Sequence, residues 1–349
     1  MKINQILRRH LQAVKPYQSA RDEYKGADGV FLDANENALG TVGEGNFNRY
    51  PDPYQMKVRT ELSRQKDVNL DSIFLGNGSD EIIDLLIRAF CEPHQDKILI
   101  MPPTFGMYLA SASVNGVELV EAPLKPGFEM DLPLIKEKMK EQVKIIFICS
   151  PNNPTGNLMN RDLVIEILEN FEGLVVVDEA YIDFSPEGTI LPLVKSYDNL
   201  FVLQTFSKAW GMASLRLGMG FGNPEVVNVL NKMKMPYNVN GLTQQFAYEA
   251  LLKADEKEEM VSEILDQKKW LYDSLNSLSL VKQIYPSDAN FFLVRFDNPD
   301  QVYQDLIVEK IITRNRSRQY LCEGCLRITV GTKEENQTLI AALKKMENE

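Results

Sequence analysis

The chain has 349 residues, more than one hydrophobic core usually holds at ~150 residues per domain, so about two domains are expected. Its 44% hydrophobic and 25% charged residues are those of a folded globular protein and exclude wholesale disorder, collagen and coiled coil. With 38 Lys and Arg against 49 Asp and Glu the net charge is -11, the wrong field for a general nucleic-acid binder, so any anionic ligand must be held by local cations.

Residues 1 to 21 contain no acid and carry Ile3, Leu7, Leu11 and Val14 at helical spacing, which reads as an amphipathic arm packed on the protein rather than an organelle-targeting peptide. No stretch reaches the ~18 consecutive apolar residues of a membrane span, and the N-terminus lacks the apolar run of a secretory signal. A cytoplasmic protein is expected. From about residue 73, short β-branched runs alternate with longer periodic segments. Strands are predicted over 98–101, 117–122, 145–149, 174–178, 201–206 and 215–221, and helices over 81–90, 132–142 and 161–171. Runs such as Ile-Ile-Phe-Ile-Cys and Leu-Val-Val-Val are apolar on both faces and suit central parallel strands, so a large α/β domain is expected over 41–253. Past that point a long charged helix, 256–277, and strands at 290–296 and 326–330 predict a smaller α+β domain over 254–349. The first 40 residues are expected to join the small domain as an arm.

Cys91, Cys149, Cys322 and Cys325 are too few and too scattered for a secreted disulfide framework, so reduced thiols are expected. Cys322-x-x-Cys325 is half a zinc-ribbon pattern without its second half, and His10 and His94 lie far off in sequence. No metal is expected.

Four turns carry the chemistry. Phe74-Leu-Gly-Asn-Gly78-Ser79-Asp80-Glu81 leads from a short strand into an apolar helix, where free N–H groups and the helix dipole suit a phosphate. It lacks both G-x-G-x-x-G and the Lys-Ser/Thr of a nucleotide loop, as does Gly220-Phe-Gly222, which disfavours NAD and ATP. Ser150-Pro-Asn-Asn153-Pro-Thr-Gly156 follows a strand and also reads as a plain turn. Val175-Val-Val-Asp178-Glu-Ala-Tyr181 puts a carboxylate at a strand end, where it also reads as a helix cap. Thr205-Phe-Ser207-Lys208 ends another strand, with Arg216 eight residues after the lysine. Strand C-termini in open α/β sheets are where ligands bind, and a desolvated lysine near another cation loses its proton more readily.

In this order the four turns resemble the pyridoxal-phosphate-dependent aminotransferases of fold type I. That resemblance implies a mostly parallel seven-stranded sheet flanked by helices, pyridoxal 5′-phosphate as cofactor, and a homodimer sharing its active sites. It assigns Lys208 to hold the cofactor and move the proton at the substrate Cα, and Asp178 to face the pyridine nitrogen. Asn153 and Tyr181 would serve the ring hydroxyl, and Tyr108 would stack on the ring. Gly78, Ser79, Asp80 (through its N–H), Thr205, Ser207 and Arg216 would surround the phosphate, with Tyr50 reaching the phosphate of the neighbouring subunit.

A closer set comprises Leu32-Asp-Ala-Asn35-Glu-Asn, Arg49-Tyr50-Pro-Asp-Pro, Pro103-Thr-Phe-Gly-Met-Tyr108, Pro236-Tyr-Asn-Val-Asn240, Pro286-Ser-Asp-Ala-Asn290-Phe and Cys325-Leu-Arg327-Ile-Thr-Val-Gly331. It is similar to the histidinol-phosphate branch of that family. Enzymes acting on aromatic amino acids or threonine phosphate carry similar versions of several of these motifs. The branch implies histidinol phosphate and 2-oxoglutarate or glutamate as substrates, bound by Asn35, Tyr50, Arg327 and Arg314, thirteen residues before Arg327. Arg316 and Arg318 read as surface cations.

Overall fold

The computed structural model describes residues 3–15 and 29–348. Among these, a seven-stranded sheet has the order β1(Ile73–Asn77), β7(Leu217–Gly222), β6(Leu200–Thr205), β5(Leu174–Asp178), β4(Val143–Cys149), β2(Lys97–Ile100), β3(Glu118–Glu121). Only β7 runs antiparallel to its neighbours. Within β5, Leu174 and Val176 enter the core on one face of the sheet while Val175 and Val177 enter the core on the other. Both faces are covered, which is why these strands read as unbroken apolar runs. One layer contains α3(Ser79–Phe90), α4(Met107–Val114) and α7(Pro224–Met233); the other contains α2(Met56–Lys66), α5(Leu132–Lys138) and α6(Arg161–Asn170). The predicted strands and helices fall on these elements with ends displaced by a few residues.

The antiparallel turn of β7 positions much of the site. Because it runs backwards, its first residues lie at the edge where β1 and β6 end, with Asn77 opposite Leu217 and Thr205 opposite Gly218. Arg216 is thereby delivered beside the turn that opens α3 and the segment after β6.

After α8(Gly241–Leu251), the 23-residue α9(Ala254–Asn276) leads into a second, four-stranded antiparallel sheet, β10(Arg314–Asn315), β11(Cys325–Thr329), β9(Phe291–Phe296), β8(Val281–Ile284). Leu271 and Leu275 of α9 pack with Phe292, Val294 and Ile328, with α10(Pro299–Val308) and with α11(Lys333–Asn348) in a core of their own.

The start of the chain departs from expectation. Ile3 and Ile6 of the short α1(Ile3–Ile6), with Leu7, are buried in the large-domain core beside α3 and α7 instead of joining the small domain. The Arg8 guanidinium donates to the Arg88 carbonyl oxygen at 3.0 Å. The physical reason is the apolar surface of α3, which carries seven buried residues in 12 and takes this stripe as cover. The part of the arm over 16–21 lies outside the described residues.

Candidate active site

The ends of β1, β4, β5 and β6 and the start of β7 surround one cavity. It is lined by Ser79, Asp80, Phe105, Cys149, Asn153, Asp178, Ala180, Tyr181, Thr205, Ser207, Lys208 and Arg216. The four turns singled out in the sequence thus meet in space.

At its floor Asp178 is buried. It accepts a hydrogen bond from the Tyr108 hydroxyl at 2.9 Å and one from the Ala180 N–H at 3.1 Å, and makes no ion pair among the described residues. Burial pushes its pKa up to about 6, against those two hydrogen bonds. Lys208 rises at one wall, its Nζ 5.3 Å from the centre of the Tyr181 ring. Burial of the amine, followed by the positive charge of Arg327, holds its pKa below the ordinary lysine value, while Asp178 and Asp80 oppose the shift. The residue is exposed overall and lines the cavity, so it is accessible while burial still weighs on its amine.

Opposite, Asn153 Nδ2 donates to the Tyr181 hydroxyl at 3.4 Å, and Asn153 Oδ1 accepts from Arg327 Nη1. Burial raises the Tyr181 pKa, keeping the phenol protonated and able to donate. Arg327 lies over the Phe291 ring at 5.3 Å.

The phosphate end is built from backbone. Asn160, Asn223 and Asn240 cap α6, α7 and α8 with their side chains, whereas α3 begins at Gly78, which has no side chain to offer. Its first N–H groups face the cavity mouth with the helix dipole behind them. Gly78 sits at φ +80°, and a Cβ there would lie 2.8 Å from Arg216 Nη2. Arg216 donates to the Ser207 hydroxyl at 3.4 Å and pairs with the Asp80 carboxylate at 3.2 Å. Both partners of that pair are exposed, so it is weak and readily exchanged for a stronger anion.

A loop and a helix from outside the sheet brace the site. The Asp288 N–H donates to the Gly156 carbonyl oxygen at 2.7 Å, and Asp288 Oδ2 accepts from the Leu158 N–H at 2.8 Å, which clamps the small-domain turn 286–290 onto the Asn153 turn. Lys257 of α9 pairs with Asp183 at 3.0 Å, both nearly buried, over the face of Trp210. Sequence reading missed Lys257 and Asp183, because nothing in a charged helix marks which of its lysines turn inward.

One assignment is corrected. Tyr108 does not line the cavity: it is fully buried, its ring stacked on Phe147 at 4.7 Å and its hydroxyl committed to Asp178. Phe105, three residues earlier in the same motif and edge-on to Tyr108, is the aromatic group at the cavity wall. Asn35 and Tyr50 also lie away from this cavity. Asn35 is exposed at φ +54°, and Tyr50 stacks on Tyr237 at 4.5 Å with half its surface open. Arg314 stands directly opposite Arg327 on the paired strands β10 and β11. Cys322 and Cys325 are buried free thiols, and no cluster of three or more metal-ligating side chains occurs among the described residues. No helix among them is long and apolar enough to cross a membrane.

An amine, a buried carboxylate, an amide and phenol pair, an aromatic wall and an anion cradle in one cavity form the donor set that fits pyridoxal 5′-phosphate: aldehyde, ring nitrogen, ring hydroxyl, ring face and phosphate each find a partner. The model of the family "Aminotransferase class I and II" matches residues 23–343, and the chain belongs to that family. Within it, the similarity is to histidinol-phosphate aminotransferases. That of Cytophaga hutchinsonii is 55% identical over 342 residues, covering 98% of each chain. The crystal structure of the one from Clostridium acetobutylicum superposes with a TM-score of 0.80 at 28% identity, over 86% of this chain and 91% of that one. The fold is shared with the Sinorhizobium meliloti histidinol-phosphate aminotransferase in complex with pyridoxal-5′-phosphate, with a TM-score of 0.79 at 21% identity over 90% of each chain.

Proposed function

We propose that this chain is a cytoplasmic homodimer that transfers the amino group of L-histidinol phosphate to 2-oxoglutarate in histidine biosynthesis, giving imidazole-acetol phosphate and L-glutamate, with pyridoxal 5′-phosphate as cofactor. The reading is carried by the convergence of Lys208, Asp178, Asn153 and Tyr181 on one cavity, where Arg327 reaches Asn153 and Arg314 is its partner on the adjoining strand. When bound, the cofactor supplies an electron sink for the bonds at the substrate Cα and a carbon that carries the amino group between half-reactions.

The protein does the rest. Lys208, its pKa held below the ordinary lysine value, gives up its proton more readily, which suits an amine that would hold the cofactor and then take the proton from the substrate Cα. Asp178, buried and held by hydrogen bonds from Tyr108 and the Ala180 N–H, favours positive charge on whatever nitrogen faces it. Asn153 and Tyr181 orient the ring hydroxyl, and Phe105 covers a ring face. Ser79, the Asp80 N–H, Thr205, Ser207 and Arg216 hold the phosphate at the mouth. Arg327 and Arg314 present planar forks that suit carboxylate and phosphate alike, so one pair serves both the amino donor and the dicarboxylate acceptor. Asn35 and Tyr50, outside this chain's own cavity, are assigned to substrate and to the cofactor phosphate of the neighbouring subunit.

The test is a single-turnover panel on the holoenzyme, followed by the visible absorbance of the cofactor, with histidinol phosphate, histidinol, phenylalanine and threonine phosphate as donors. Histidinol phosphate is expected to have the highest kcat/KM. Preference for phenylalanine, or CO2 release from threonine phosphate, would replace the substrate assignment while leaving the family untouched.

A further inference from the structure

Arg314, Arg316 and Arg327 make an unbalanced cluster. Arg314 pairs with Arg327 across β10 and β11, and the Arg316 N–H donates to the Cys325 carbonyl oxygen at 2.9 Å, continuing the pairing by one more step. Residues two apart on a strand share a face, so Arg316 stands on the side of Arg314 and Arg327. Among the described residues none of the three forms an ion pair with a carboxylate, in a chain with 49 Asp and Glu.

Arg316 is the most telling of the three. It is half-buried, its Nε is shielded from solvent, and no hydrogen-bond partner meets that nitrogen. It also borders a cleft against α10 that contains Asp300, yet that carboxylate accepts from Asn315 Nδ2 instead. Its charge acts on Tyr181 and Arg327, the groups at the substrate side of the cavity. A guanidinium N–H sheltered from water with no partner is costly, as it is for Arg327 Nε as well, unless an arriving anion satisfies it.

We infer that Arg316 is a third arginine of the substrate clamp, binding the terminal phosphate of the amino donor beside Arg314 and so setting the preference for a phosphorylated substrate. The inference rests on the histidinol-phosphate reading above. A phosphate has three oxygens and up to two charges at neutral pH, which two forks share better than one.

The experiment compares wild type, Arg316→Gln and Arg316→Lys holoenzymes with histidinol phosphate and with unphosphorylated histidinol, each with 2-oxoglutarate. Arg316→Gln should lower kcat/KM for histidinol phosphate by roughly tenfold to a hundredfold, the range for a lost charge-assisted hydrogen bond, mostly through KM. Its kcat/KM for histidinol should stay within about twofold, and Arg316→Lys should recover part of the loss. Unchanged cofactor absorbance and thermal midpoint mark the variants as folded. If wild type distinguishes the two donors and Arg316→Gln keeps that preference, or loses equally on both, the inference fails alone. If wild type does not distinguish them, the substrate reading itself fails.

Discussion

At the residue scale, the carboxylate of Asp178 shows most directly how burial is turned to use. Its pKa rises from 3.8 to about 6 in the folded chain, because burial penalises its charge more than Tyr108 and the Ala180 N–H relieve it. Between these values the unfolded chain has already lost a proton that the folded chain keeps, so the folded state binds more protons there. Cofactor-free protein should therefore lose stability through Asp178 as pH rises from about 4 to about 6, by a total on the order of 3 kcal/mol. Urea unfolding of wild type and Asp178→Asn across that range measures it: the stability of wild type relative to the variant should fall with pH, and a flat difference would contradict the burial argument. In the holoenzyme the same substitution should slow the half-reaction by about 3 kcal/mol of barrier while the fold persists, since an amide cannot supply the charge. Asp178 was legible in the sequence because a carboxylate closing an apolar strand is conspicuous. The role of Tyr108 was not: its motif holds two aromatics three residues apart, and only packing shows that Phe147 and Asp178 take one while the cavity takes Phe105.

At the scale of elements, the sheet carries the site through a single reversed strand. Gly218 sits near the start of β7, where an added Cβ would lie 2.3 Å from the Ser79 backbone nitrogen and 2.4 Å from the Gly78 carbonyl carbon. Both are backbone atoms of the phosphate turn, so neither can swing aside, and Gly218→Ala must push the mouth of α3 outward. Overpacking of this kind typically costs 1–3 kcal/mol of stability, about the upper half of which is expected here, with cofactor affinity falling at least about tenfold. Gly241, at the start of α8, has only Pro51 Cβ within reach of an added Cβ, at 3.7 Å, and Gly241→Ala serves as the neutral comparison. Equilibrium dialysis of the cofactor against both variants decides the point; equal affinities would show that the turn has slack. The central strands of this sheet were readable because they are unbroken apolar runs closed by polar residues, as Cys149-Ser150, Asp178-Glu179 and Thr205 show. The two-residue β10 was not, since a strand of Arg314 and Asn315 has no apolar period and exists only through its pairing with β11. The destination of α1 was equally silent, because an apolar stripe specifies that it will be covered and not by which domain.

At the scale of the whole molecule, the segment between residues 30 and 54 contains neither helix nor strand and exposes Val30, Leu32, Leu39, Val42, Phe47 and Tyr50, the first four of them almost completely. An apolar segment of this kind is not stabilised by its own fold and calls for a covering surface. Glu36 fixes its shape, accepting from Arg49 Nη1 at 2.7 Å and from the Tyr50 N–H at 2.6 Å, so that the Tyr50 ring is presented on Tyr237 with one side free. A second copy of the chain is the partner proposed for it, with Tyr50 completing the phosphate site across the interface. Mixing Tyr50→Phe/Lys208→Ala subunits with wild type gives hybrid dimers in which the sole remaining Lys208 site faces the partner's altered position 50. That site should bind the cofactor about tenfold more weakly than in hybrids made with Lys208→Ala alone, the loss of one hydrogen bond to a charged group. Equal affinity in the two hybrids would place Tyr50 outside the shared site, and hybrids that do not form would remove the dimer itself.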